Sequence, residues 1–116
     1  MELNKTEEMA MKIIRELRGR MKNKIGSSEI NNVVDDNNNH RAFSINFQAY
    51  NYFFVIFNYD RGRIGFSIKY GEKLFIRLEN SQKWYEQADF DILCKELQEQ
   101  LELRIPDKFL EANGWK

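Results

Sequence analysis

Cysteine, proline and histidine are almost missing from this chain, which has one of each in 116 residues. A lone Cys94 cannot close an internal disulfide, so a reducing cytoplasm is the expected compartment and the fold must stand on its core alone. No basic leader followed by an apolar stretch opens the sequence, which adds to that expectation. No apolar run approaches the roughly 18 residues that a membrane span needs. The longest, Tyr52 to Phe57, has the length of a strand. Eighteen basic and eighteen acidic residues cancel, which removes the whole-molecule field that draws proteins to nucleic acid or anionic lipid.

The same scarcity argues against catalysis. His40 is the only histidine, with no cysteine or aspartate in triad or ligand spacing around it. Cys94 falls on an apolar helical stripe, where a thiol is buried and inert rather than nucleophilic. The oxygen-rich run Asp35 to Asn39 lacks the alternating spacing, central glycine and terminal glutamate of a calcium loop. The Arg61-Gly62-Arg63-Ile64-Gly65 segment has neither the pattern nor the strand-to-helix context of a phosphate loop. The carboxylates form no recognisable acid–base pair. We therefore expect no enzyme, no catalytic residue, no metal and no cofactor.

What the chain does have is bulk. Nine Phe, five Tyr and two Trp, with 42% hydrophobic residues, supply the core of a folded protein, and the length fits one α+β domain over 1–116. Leu3, Met9, Ile13, Ile14, Leu17 and Met21 share one helical face, with Asn4 and Glu7 as a capping pair and Gly26 to Ser28 as the stop. Arg15, Arg18, Arg20, Lys22 and Lys24 read as a solvated surface near the helix C-terminus. Glu29 to His40 reads as a loop, at most with a short strand at its start. From Arg41 to Glu79 the period changes to two, and the pattern predicts a four-stranded antiparallel meander with turns at Asp60-Arg61-Gly62 and Gly71-Glu72. The Tyr52 to Phe57 run, apolar at successive positions, predicts a central strand covered at least in part on both sides. A loop containing Asn80, Ser81, Trp84 and Tyr85 leads to a second amphipathic helix capped by Asp89, with Phe90, Leu93, Cys94, Leu97 and Leu101 inward. Pro106 opens a short terminal helix that Gly114 ends, and Trp115 folds back on the body.

Charge is not evenly spread. Glu86 to Glu111 carries eight acidic residues against three basic, so the C-terminal helix is the acidic element. With its apolar stripe inward, Asp91, Glu99 and Glu102 point outward and Glu96 lies toward a flank, a surface suited to steering a cationic partner. The wetter sheet face carries the opposite sign, with Arg63, Lys69, Lys73, Arg77 and the aromatic Phe75, groups that meet phosphates and stack a base. The strand Arg61 to Tyr70 is similar to the basic–aromatic motif of RNA-recognition domains, but only with inserted residues, and the order of elements is not that of the fold.

In layout, the Leu3 to Met21 helix, the Arg41 to Glu79 meander and the acidic Asp89 to Leu103 helix resemble the immunity proteins that protect bacteria against polymorphic or contact-delivered toxins. The resemblance implies a non-enzymatic module in tight complex with a cognate toxin, commonly a basic nuclease, whose active site or substrate surface it occludes. It places Asp89, Asp91, Glu96, Glu99 and Glu102 at the interface. The alternative is a module for RNA or another single strand, using Arg63, Lys69, Phe75 and Arg77.

Overall fold

A computed structural model of the protein describes residues 4–36, 40–70, 72 and 74–116. Leu3, Asn37 to Asn39, Gly71 and Lys73, which entered the expectations above, lie outside the described residues. The chain is α+β, with a helix first, an antiparallel sheet next and helices last.

Helix α1 (Lys5–Met21) begins on a capping box: Asn4 Oδ1 accepts from the Glu7 amide at 2.7 Å, and Glu7 Oε1 accepts from the Asn4 amide at 3.2 Å. Its buried stripe is Thr6, Ala10, Ile13, Ile14, Leu17 and Met21. The helix stops at Met21, earlier than the glycine and serines suggest. Lys22 takes a φ of +52°, a 3-10 turn follows over Lys22–Lys24, and Gly26 to Ser28 are already in a strand.

That strand is the main departure from expectation. Among the described residues the sheet has five strands, not four, in the order β1 (Ile25–Asp35), β2 (Arg41–Ala49), β3 (Phe53–Asp60), β4 (Arg63–Tyr70) and β5 (Leu74–Trp84), the last of which takes in Asn80, Ser81 and Trp84 of the expected loop. Most of the segment expected to be a loop pairs with β2, in register from Ser28 opposite Phe47 to Asp35 opposite Arg41. Its polar sequence hid it, because as an edge strand it offers the core little more than Ile25 and Ile30. Two irregularities in its pairing, between Ile25 and Ser28 and between Asn31 and Val34, also break the period-two pattern.

The β2–β3 and β3–β4 hairpins are tight. Arg61 and Gly62 both have positive φ, +51° and +92°, the two-residue turn whose twist matches that of the strands it joins. Between β2 and β3, Tyr50 (+59°) and Asn51 (+51°) take the same region without glycine, closed by the Tyr52 amide on the Ala49 carbonyl at 3.0 Å. Tyr50 is held there by its surroundings: its ring is fully buried edge-on to Trp115, and its hydroxyl donates to Glu102 at 2.6 Å. Tyr52 is in the turn and exposed, so the apolar run contributes a strand only from Phe53.

Helix α1 packs over β1 and β2, and helix α2 (Phe90–Arg104) lies beside it and reaches β5. Asp89 caps α2, accepting from the Asp91 and Ile92 amides. Helix α3 (Asp107–Ala112) follows Pro106 and adds Leu110 to the core. All of the helical packing falls on one side of the sheet. Phe43, Ile45, Phe47, Val55, Phe57, Ile64, Phe66 and Ile68 are buried there against Ile13, Leu17, Leu93, Cys94, Leu97 and Leu101 in one continuous cluster. Among the described residues no layer covers the other side, contrary to the two-sided cover expected from the Tyr52 to Phe57 run.

Candidate functional site: the open face of the sheet

Strand alternation decides which residues meet the uncovered side. On β3 the core takes Phe53, Val55, Phe57 and Tyr59, leaving Phe54, Ile56, Asn58 and Asp60 outward. The register carries this across the sheet. One row runs Gln48, Phe54, Lys69, Phe75; the next runs Glu29, Asn46, Ile56, Ser67, Arg77; a third runs Asn31, Ser44, Asn58, Gly65. Phe54 and Phe75 are 55% and 48% exposed, values a core aromatic never shows.

These rows frame a groove of about 530 Å³ bounded by Ser28 and Glu29 of β1, Asn46, Phe54, Ile56 and Phe75. Its floor contains a polar atom in need of a partner. Asn31, with its amide oxygen turned toward β2, accepts from Asn46 Nδ2, which leaves Asn46 Oδ1 buried with no hydrogen bond among the described residues. An N–H donor arriving from outside would satisfy it. The centre of the face carries no charge from Asn31 through Ser44, Asn46, Ile56 and Asn58 to Ser67, in a chain whose residues are 31% charged. Charges flank this centre, with Glu29 at one edge, Arg77 at the other and Asp60 and Arg63 toward one end, while Lys69 of the inner strand β4 stands in the row of Phe54 and Phe75.

Arg63, Lys69, Phe75 and Arg77 therefore do share one surface, as the alternation predicts. They are not equivalent. Lys69 stands between the two phenyl rings in its row, whereas Arg63 lies six residues earlier on β4, with its guanidinium 5.3 Å over the Trp84 ring. Phe54 was missing from that set, and a period-two reading of Phe53 to Phe57 would have found it once one face was known to be open.

The acidic residues of α2 are spread around the helix and partly committed. Asp89 is occupied as the cap. Asp91 accepts from Arg20 Nε at 2.7 Å, tying α2 to α1. Glu102, expected to point outward, instead accepts the Tyr50 hydroxyl. Glu96 and Glu99 have no ion-pair partner among the described residues and face a groove beside β5. The basic surface of α1 is also less free than its sequence suggests. Arg18 donates to the Gly26 carbonyl and to Ser28, and Lys24 donates to Gln98 at 2.7 Å.

His40 has company that its sequence neighbours do not reveal. The β2–β3 pairing brings Asp60 Oδ1 to 3.1 Å from its Nε2, and Arg61 lies 3.3 Å from Nδ1. Since guanidinium only donates, Nδ1 accepts and Nε2 carries the proton toward Asp60. Neither contact brings a nucleophile. Cys94 is 1% exposed, and burial pushes its thiol up to about 11, which removes the thiolate that reactivity requires. Among the described residues no group of three metal-ligating side chains occurs, and no helix is long and apolar enough to cross a membrane.

Comparison with known protein families, curated proteins and solved structures finds no match to this chain.

Proposed function

We propose that this protein is a non-catalytic protein-binding module that seats its partner on the open face of the sheet, and that the partner is a toxin it neutralises by occlusion. The observation that carries the binding surface is the uncovered Phe54–Ile56–Phe75 patch around the unpaired Asn46 Oδ1. An exposed apolar patch set among polar side chains, with Lys69 between its two rings, has the aromatic enrichment of a protein interface. The toxin reading is supported by the layout resemblance to immunity proteins, in which a helix, a meander and an acidic helix follow in this order. In that reading Glu96 and Glu99, which have no ion-pair partner among the described residues, supply charge that steers a basic toxin, while Asp89, Asp91 and Glu102 hold the fold.

The test is growth of cells producing the protein encoded by the adjacent gene. Alone it stops growth, and together with the wild-type chain growth returns. The double variant Phe54→Ala/Phe75→Ala folds but fails to restore growth. An adjacent product that is harmless, or rescue by the double variant as good as by the wild type, contradicts the proposal.

One observation favours a second reading: Phe54 and Phe75 flank Lys69 in a single row, a spacing on which successive bases of a single strand stack while a phosphate meets the ammonium. That reading requires binding to an oligonucleotide at low salt that weakens as salt rises. A flat titration at low salt removes it.

A further inference from the structure

The open face is charged in a pattern that fits itself. In the row Glu29, Asn46, Ile56, Ser67, Arg77 the acid stands on the first strand of the sheet, the base on the last, and Ile56 on the middle strand β3. Glu29 and Arg77 are both exposed, and neither has an ion-pair partner among the described residues. The neighbouring row is uneven in size. A Cβ on Gly26 would lie 3.5 Å from that of Gln48, so Gly26 extends the row Gln48, Phe54, Lys69, Phe75 at its β1 end. This row runs from no side chain at one edge to an exposed phenyl ring at the other, with Phe54 on β3 at its middle.

A second copy of the sheet, laid face to face with its strands aligned, can be related to the first by either of two two-fold axes in the plane between them. An axis perpendicular to the strands puts β1 over β1 and β5 over β5. Glu29 then meets Glu29 and Arg77 meets Arg77, and like charges repel. An axis along β3 puts β1 of each copy over β5 of the other. Glu29 then faces Arg77 at both ends of the row, Phe54 meets Phe54, Ile56 meets Ile56, and each Phe75 comes toward the space that Gly26 leaves open. Lys69 of the second copy comes over β2, where Asn46 Oδ1 is buried without a hydrogen bond among the described residues. Packed sheets lie about 10 Å apart, a gap that glutamate, arginine and phenylalanine side chains fill from both sides. Five strands about 4.8 Å apart give a face of roughly 500 Å². Two such faces reach about the 1,000 Å² at the low end of specific interfaces.

We propose that two copies of this chain associate through their open faces about a two-fold axis along β3, with Glu29 of each against Arg77 of the other, and that the dimer covers the patch until the neutralised partner displaces it. The displacement rests on the partner binding proposed above, whereas the self-association does not. An interface of this modest size comes apart on dilution and leaves Phe54 and Phe75 free for the partner.

The test is sedimentation equilibrium of the full chain from about 1 µM to about 1 mM. Wild type passes from monomer to dimer and no further, since a two-fold contact closes on itself. Glu29→Arg and Arg77→Glu each weaken the dimer about tenfold or more, because each sets like charges against each other at both ends. The double swap Glu29→Arg/Arg77→Glu recovers most of that loss, and Phe54→Ala/Phe75→Ala stays monomeric. Urea midpoints matching wild type at the lowest concentration show that the variants fold. An excess of the adjacent gene's product converts the wild-type dimer into a one-to-one complex. A wild-type monomer at the highest concentration, single swaps without effect, a double swap no tighter than the singles, or a complex that keeps the dimer intact overturns the inference. Growth rescue keeps the two proposals apart: a monomeric chain that still neutralises the adjacent product sinks the dimer alone, and a dimeric chain beside a harmless product sinks the toxin reading and the displacement but not the self-association.

Discussion

Phe57 and Phe54 sit three residues apart on one strand and have opposite surroundings. Phe57 has no exposure and lies against the rings of Phe66 and Phe90, at 5.3 and 6.4 Å between centroids. Phe54 is more than half exposed beside Lys69. The difference extends to whole faces. The covered face is aliphatic and aromatic throughout, while the open face mixes two or three large apolar groups with Asn, Ser and a few charges. Stability has a clear need for the first and none for the second. A pair of phenylalanines left in water on the side of the sheet away from its core is most simply explained by a partner that covers them.

The sharpest way to break this comparison is to truncate one ring from each face. Phe57→Ala should cost about 3 to 5 kcal/mol in urea unfolding, because it opens a cavity in a closed cluster. An equal loss from Phe54→Ala would mean that the open face is structural and the comparison false.

Next in size is an alkaline effect confined to the covered face. The buried Cys94 thiol stays protonated up to about 11 against an ordinary 9, and burial together with the Glu102 hydrogen bond raises Tyr50 as well. Above pH 9 the unfolded chain releases the thiol proton before the folded chain does, so this contribution is complete below about 9 and is lost as pH climbs toward 11. For Cys94 the change amounts to about 2 to 3 kcal/mol at the upper limit. Urea midpoints measured from pH 8 to 11 should fall, and Cys94→Ala should flatten part of the slope; an identical slope in the variant refutes the assignment.

Tyr50→Phe comes third. It removes the 2.6 Å bond to Glu102 and leaves a half-buried carboxylate without its donor, for about 1 to 3 kcal/mol. Double-mutant cycles with Glu102→Gln should show coupling, and additive losses would show that the bond contributes nothing. Smallest is the stability effect on the open face itself: Phe54→Ala and Phe75→Ala should each lie within about 0.5 kcal/mol of wild type, as exposed substitutions do.

Much of this architecture is legible in the sequence, and the gaps have physical causes. Helical stripes such as Ile13, Ile14, Leu17 and Leu93, Leu97, Leu101 declare themselves because burial on one side of a helix enforces their spacing. The Asn4 and Asp89 caps are equally local and are found where the sequence places them. β1 is not legible, because an edge strand buries little and its identity comes from pairing with β2, a long-range fact. The same limit applies to the site. Alternation puts Arg63, Lys69, Phe75 and Arg77 on one surface, but it cannot say that no layer covers that surface, and so Phe54 passes as core. For α2, periodicity gives the direction of Glu102 correctly only until Tyr50, in an unforeseen left-handed turn, reaches up to meet it. Asp60 beside His40 belongs to the same class of tertiary meeting.

The most direct test of the open face as the working surface is calorimetric titration of the adjacent gene's product into the wild-type chain and into Phe54→Ala/Phe75→Ala, after urea unfolding has shown the two to be equally stable. The account predicts tight binding by the wild type and a loss of affinity of about 30-fold or more in the variant, the effect of removing roughly 2 kcal/mol of buried aromatic contact. Equal affinity for the two chains would contradict it.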